Sequence, residues 1–164
     1  MQKLSWKEKF AGILVLLIGI IYLLMQLASL LSDTSDHYTV NQGALVIDQN
    51  ALFSDIKAWV VIIMGLAAGP MLLKNKTGGW VLGLPVLLFF AVLLLVLAVQ
   101  QVINMKGKID GSIAIPAVAL ALLVTAIVFL FSKDARRKYR VSKYTVLLTL
   151  FLFVAIGGLY FFLQ

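Results

Sequence analysis

The sequence predicts an all-α integral membrane protein with five transmembrane helices, its N-terminus in the cytoplasm and its C-terminus outside. Composition, long uncharged runs and the distribution of basic residues together predict this fold class. Of the 164 residues, 62% are hydrophobic and 13% charged, against about 45–50% and 25% in soluble domains. A soluble core of this length buries only about 70% of the surface that its unfolded chain exposes. We therefore expect lipid to cover the remainder, in a single transmembrane domain over residues 1–164.

The first two spans are expected at residues 10–31 and 51–73. The first follows several lysines, as a secretory signal does, but its 22 residues exceed the about 7–15 of a signal core, which predicts a retained helix. The second has only 16 residues after Lys57, whereas about 20 are needed to cross the hydrocarbon. A helix capped by Asn50 would be longer, with Asp55 and Lys57 in the headgroup layer.

Three further spans are expected at residues 80–102, 113–131 and 145–163. Trp80 opens the third, and Trp and Tyr are enriched where a helix meets the lipid–water interface. Ser112 is a suitable N-cap for the fourth span. Both features support helices that begin at the membrane surface.

Residues 132–144 (SKDARRKYRVSKY) contain six of the 14 basic residues. Short loops rich in Lys and Arg stay on the cytoplasmic side of a membrane. Five spans put eleven basic residues on that side and three outside, whereas four spans would separate the N-terminus from the basic loop. The eleven are Lys3, Lys7, Lys9, Lys74, Lys76, Lys133, Arg136, Arg137, Lys138, Arg140 and Lys143. The predicted location is the cytoplasmic (inner) membrane of a bacterium, as a multi-pass protein.

The outer loop, residues 32–50, contains two short β-prone segments, 38–40 and 44–47. They flank Asn-Gln-Gly, in which Gly43 can supply a positive φ, so a β-hairpin is expected. An isolated two-stranded hairpin is marginal in water. We therefore expect it to lie against the spans or against a partner.

Spans two and three, and spans four and five, form hairpins with a common pattern. Lys74 and Lys133 begin the two turns, and Trp80 and Tyr139 each follow six residues later. A duplication would relate the hairpins about the membrane normal. The general preference of cytoplasmic turns for a basic and an aromatic residue explains the pattern more simply.

Small residues recur at four-residue spacing in spans two and four. Gly65 and Gly69 form a GxxxG motif, and Ala117, Ala121 and Thr125 repeat the spacing. Small residues let helix backbones approach closely. They are candidates for a docking face toward another subunit or a second copy, but packing within this chain is the preferred interpretation, because such short motifs often occur by chance.

The basic loop has two compatible interpretations. Arg136, Arg137, Arg140 and Lys143 are candidates for binding the headgroups of anionic phospholipids. The same residues would orient the chain during insertion.

Candidate chemistry is sparse. Spans one, three, four and five contain no ionisable Asp, Glu, Lys, Arg or His, and such groups mark proton relays and ion paths within membranes. Cysteine is absent, which excludes disulfides and thiolate ligands. His37 is the single histidine and is read as a loop residue. No catalytic residue, metal, cofactor or nucleic-acid partner is predicted.

Three functions remain compatible with these observations. The first is a non-catalytic accessory or scaffolding subunit of a larger membrane assembly. The second is a small homo-oligomeric transporter or channel whose polar pore lacks ionisable residues. The third is an interfacial lipid enzyme that uses Asp55, Lys57 or His37, and it ranks last because no acid–base pair at catalytic spacing is recognisable.

Overall fold

The computed structural model of this chain describes residues 5–32, 38–41, 44–47, 49–104 and 114–162. In chain order the elements are α1 (Trp6–Ser32), β1 (Tyr38–Asn41), β2 (Ala44–Ile47), α2 (Gln49–Leu73), α3 (Thr77–Asn104), α4 (Ala114–Phe131), α5 (Lys133–Lys138) and α6 (Lys143–Phe162). Five helices among the described residues, all except α5, are long and apolar enough to cross a membrane. The chain is therefore a multi-pass membrane protein, as its composition predicts.

The second span is a continuous helix despite its short uncharged run. α2 contains 25 residues and passes through Pro70 without interruption, which corresponds to about 37 Å at ~1.5 Å per residue. It begins before Asp55 and Lys57, so the polar residues lie in its first turns rather than at the centre of the span. The prediction of five helices that are long and apolar enough to cross a membrane is confirmed.

The central helix of the bundle is α3, which packs against α2, α4 and α6. α1 lies on the other side of α2 and α4 and has its most extensive contact with α2. α4 and α6 have almost no contact with each other in the described part of the chain. The hairpins α2–α3 and α4–α6 therefore differ in packing, and the structure gives no support to an internal duplication.

The N-terminus of α1, the α2–α3 turn and the α4–α6 connection lie at the same end of the bundle. Leu73 at the end of α2 is next to Gly12, and Trp80 contacts the end of α4. The opposite end holds Lys57, at the start of α2, against Tyr160, near the end of α6. The described N- and C-terminal residues are consequently at opposite ends, as five crossings require.

We call the first of these ends the basic end. In the described ranges it carries ten of the basic side chains, and Lys57 lies at the other end. The ten are Lys7, Lys9, Lys74, Lys76, Lys133, Arg136, Arg137, Lys138, Arg140 and Lys143.

The segment expected to form a hairpin pairs as two antiparallel strands. β1 and β2 run in register from Tyr38 opposite Ile47 to Asn41 opposite Ala44. Gly43, the expected turn residue, lies outside the described residues, and so does Ser112, the expected cap of the fourth span.

Candidate functional site

Two aromatic side chains connect the hairpins at the basic end. Trp80 Nε1 donates a hydrogen bond to the carbonyl oxygen of Leu130 at 3.0 Å, and Tyr139 Oη donates one to the carbonyl oxygen of Leu72 at 3.0 Å. Both acceptors belong to the last turn of a helix, α4 or α2, where carbonyl groups lack a partner four residues further on. The aromatic groups therefore add a hydrogen bond at each of two helix ends; the Leu72 carbonyl also accepts one from the Asn75 backbone nitrogen at 3.1 Å.

The burial of these side chains differs from the interfacial position that the sequence predicts for Trp80. The exposed fractions of Trp80 and Tyr139 are 1% and 0%. Each ring faces the bundle instead of the lipid headgroups, because its polar group finds a carbonyl within the protein. Burial raises the pKa of the Tyr139 phenol, and the nearby Glu8 carboxylate raises that pKa further.

A buried ion pair lies beside Tyr139. Lys138 Nζ is 2.5 Å from Glu8 Oε2, and the same oxygen accepts a hydrogen bond from the Ser5 backbone nitrogen at 2.8 Å. Glu8 is only 4% exposed. The carboxylate thus connects the first turn of α1 to α5. The sequence alone does not indicate this contact with α5, although Ser5 and Glu8 match the S-x-x-E pattern of a helix capping box.

The six-residue helix α5 has two different faces. Ala135 and Tyr139 are buried against the bundle, with Lys138 on the same side through its ion pair. The other face carries Lys133 and Arg136, which are exposed. Helix geometry brings residues three and four apart together, so the inner face fixes α5 while the outer face presents its charges to solvent.

The outer face of α5 and the start of α6 border a shallow, open cleft of about 400 Å³, which we call the basic cleft. Its lining residues are Lys133, Arg136, Arg137, Val141, Ser142, Lys143 and Val146. Three of the four residues predicted to bind lipid line this cleft, and the fourth, Arg140, does not. Lys133 joins them, which the sequence does not indicate. Arg140 instead lies two residues beyond the end of α5, where its φ is 50°.

The predicted packing residues fall into two groups. Gly65 and Gly69 lie against α1: a Cβ atom on Gly65 would be 2.9 Å from Gly19 Cα, and one on Gly69 would be 2.7 Å from Leu16 Cβ. Such distances leave no room for a side chain, so α1 and α2 touch through their backbones. Gly19 takes part in this contact, but it belongs to no four-residue glycine repeat.

Ala117 and Ala121 are exposed on α4. Thr125, one turn further, donates its hydroxyl hydrogen to the Ala121 carbonyl oxygen at 2.7 Å. The buried residues of α4 are Leu123, Ala126 and Leu130. At about 100° per residue, they lie on the side of the helix opposite the alanines. We call Ala117, Ala121 and Thr125 the small-residue face of α4.

A row of aromatic rings crosses the bundle at the level of the middle of α3. Tyr22 of α1 contacts Phe90 at 5.0 Å between ring centroids, and Phe89 contacts Tyr160 of α6 at 5.1 Å. Phe89 and Phe90 are themselves in edge contact. Lys57 Nζ lies 5.4 Å from the Tyr160 centroid. Lys57 thus makes a cation–π contact with Tyr160, the last ring of this row.

The structure does not bring together the candidate residues of a lipid enzyme, Asp55, Lys57 and His37, within its described part. His37 and the Asp55 side chain lie outside the described residues, and Lys57 contacts Tyr160. Within the described ranges, no cluster of three or more His, Asp or Glu side chains could hold a metal ion.

No protein-family model, curated protein or solved structure matches this chain.

Proposed function

We propose that the protein is a non-catalytic accessory or scaffolding subunit of a larger assembly in the cytoplasmic membrane. The observation that carries this proposal is the small-residue face of α4. It is exposed from the bundle, on the side opposite the residues that pack inward. Small side chains allow a second helix to approach its backbone closely, and this contact drives helix association in lipid. A helix of another subunit is the expected occupant.

The rest of the bundle suits a scaffold. The backbones of α1 and α2 touch at Gly19 and Gly65, and hydrogen bonds from Trp80 and Tyr139 connect the helix ends. These contacts hold α4 in a fixed position relative to α1 and α3. A partner would then bind a preformed surface and would pay little conformational entropy.

The proposed orientation has the basic end in the cytoplasm. The concentration of basic side chains at that end supports this orientation, because positively charged loops are retained inside. The partner would contact the small-residue face within the membrane, and anionic phospholipids would surround the basic end.

The test uses native gel electrophoresis of membranes solubilised in a mild detergent. We expect the wild-type chain to migrate in a complex larger than a monomer, and Ala117→Leu/Ala121→Leu to release the monomer, because the added side chains separate the helices. Leu122→Phe, which adds bulk on the exposed flank of the same helix, is the control and should leave the complex intact. A wild-type chain that migrates as a monomer after its native membrane is solubilised in mild detergent would refute the proposal.

The same experiment distinguishes the alternative function. If the complex contains only copies of this chain, purified protein in liposomes should be tested for flux of ions and small polar solutes. Flux by the wild type that Ala117→Leu/Ala121→Leu abolishes would favour the small homo-oligomeric transporter or channel over the accessory subunit.

A further inference from the structure

The geometry points to a specific site for one anionic phospholipid, with its phosphate headgroup in the basic cleft and an acyl chain along α6. This inference is independent of the proposed scaffold role. It also differs from diffuse attraction between a basic loop and the membrane. A specific site depends on the cations that line the cleft, whereas diffuse attraction depends only on the number of charges at the basic end.

The charges of the cleft have one sign. Its lining includes four cationic side chains and no acidic one. Asp134, the single acidic residue of α5, lines a different cleft beside Glu8, and Arg137 borders both clefts. Among the described residues, none of the four cleft cations forms an ion pair with a carboxylate. A phosphate group would supply the missing counter-charge and accept hydrogen bonds from the Arg guanidinium groups.

The backbone that carries two of the cleft cations is held in place before a ligand arrives. Tyr139 donates its hydrogen bond to Leu72, Lys138 pairs with Glu8, and Ala135 is buried. These three contacts fix the inner face of α5 and thereby the backbone that carries Lys133 and Arg136. A fixed backbone loses less entropy on binding than a mobile basic loop does.

The apolar side of the cleft favours a lipid over a free phosphate ion. Val141 and Val146 line the cleft, and an exposed apolar surface continues on the following turns of α6. That surface consists of Tyr144, Leu147, Leu148, Leu150, Phe151 and Val154. Residues 143, 146 and 150 recur at helical spacing, so a lysine, the cleft and the apolar surface share one side of α6. A headgroup in the cleft would have its acyl chain beside this surface.

The test measures lipid binding to the full chain in neutral detergent by native mass spectrometry, with phosphatidylglycerol as the probe and phosphatidylcholine as the comparison. The cleft variant is Lys133→Gln/Arg136→Gln. The matched control, Lys74→Gln/Lys76→Gln, removes two exposed cations from the same end of the bundle but outside the cleft. We expect the wild type to retain one phosphatidylglycerol and the cleft variant to bind it about 25-fold more weakly, about five-fold for each cation.

The control variant should bind phosphatidylglycerol within about two-fold of the wild type, since its cations do not line the cleft. Equal losses in the two variants would overturn the inference in favour of diffuse attraction. Equal binding of phosphatidylcholine would also overturn it. Inorganic phosphate, added at the same concentration as the lipid, should not displace it; complete displacement would assign the cleft to a free anion.

A second variant and melting temperatures distinguish lost lipid binding from a folding defect. Lys143→Gln alters the other side of the cleft, on α6, and should weaken phosphatidylglycerol binding about five-fold. The melting temperature of each variant without lipid should equal that of the wild type, because the replaced side chains are exposed. If neither Lys143→Gln nor Lys133→Gln/Arg136→Gln weakened phosphatidylglycerol binding, the proposed site would be refuted.

Discussion

Trp80 and Tyr139 hydrogen-bond in opposite directions between the two hairpins. Trp80, on α3, reaches the Leu130 carbonyl at the end of α4, and Tyr139, after α5, reaches the Leu72 carbonyl at the end of α2. Each hairpin therefore adds a hydrogen bond at a helix end that belongs to the other. At the basic end, these two hydrogen bonds stabilise the bundle in addition to the contacts between its spans.

We expect Tyr139→Phe to lower the free energy of unfolding by about 1 kcal/mol, the typical contribution of one hydrogen bond. Phenylalanine keeps the buried ring, so only the bond to Leu72 is lost. Unfolding in mixed micelles with increasing SDS, followed by circular dichroism, measures the change. Tyr144→Phe is the matched control, because Tyr144 is 85% exposed. Equal effects of the two replacements would show that the Tyr139 hydroxyl has no special role.

The raised pKa of Tyr139 predicts a loss of stability in alkali. In the unfolded chain this phenol releases its proton near pH 10, whereas burial and Glu8 keep it protonated in the folded protein. Its contribution is therefore fully present below about pH 10 and decreases as the pH rises above that value. Melting temperatures at pH 9 and pH 11 measure the effect. Tyr139→Phe should show a smaller alkaline decrease than the wild type; an equal decrease would contradict the assignment.

Glu8→Gln should destabilise the fold by about 3 kcal/mol, because it removes one charge of a buried ion pair and leaves the other in place. The double variant Glu8→Gln/Lys138→Met removes both charges and should recover most of that loss. Lys133→Met replaces an exposed lysine of the same helix and should change the free energy by less than about 0.5 kcal/mol. SDS unfolding compares the four proteins. A double variant no more stable than Glu8→Gln would show that the Lys138 charge does not cause the loss of stability in Glu8→Gln.

The contact between α1 and α2 predicts different outcomes for two Gly→Ala replacements. Gly65→Ala places a Cβ atom 2.9 Å from Gly19 Cα and should cost about 2 kcal/mol, as overpacking does. Gly157→Ala in α6 meets no atom within 4 Å and should be neutral or stabilising by up to about 1 kcal/mol through helix propensity. Thermal unfolding of both variants measures the difference. A tolerated Gly65→Ala would mean that the two backbones can separate.

The proposed orientation predicts which positions react with an impermeant thiol reagent. The chain has no cysteine, so Lys76→Cys and Lys57→Cys each provide a single target. Lys76, at the basic end, should react only after the cells are permeabilised. Lys57, at the other end, should react in intact cells. The reverse pattern would place the basic end outside.

The spans could be predicted because hydrophobic length and charge are properties of contiguous sequence. The contacts of the basic end could not. Glu8 and Lys138 are 130 positions apart, and no local pattern identifies a charge as the partner of another so far away. Trp80 illustrates a different difficulty: an aromatic residue beside a basic turn has the same sequence context whether it faces lipid or packs beneath the neighbouring loop. Its burial depends on Leu130, which only the fold brings near.

The sparse attachment of α6 has a consequence for biogenesis. α6 packs mainly against α3, whereas the fastening residues Glu8, Trp80, Lys138 and Tyr139 all precede it in the chain. A nascent chain that has inserted four spans and the basic loop therefore already contains these four residues, which join the helix ends. α6 can then pack against α3 after the other four spans have folded, so its insertion need not coincide with their folding.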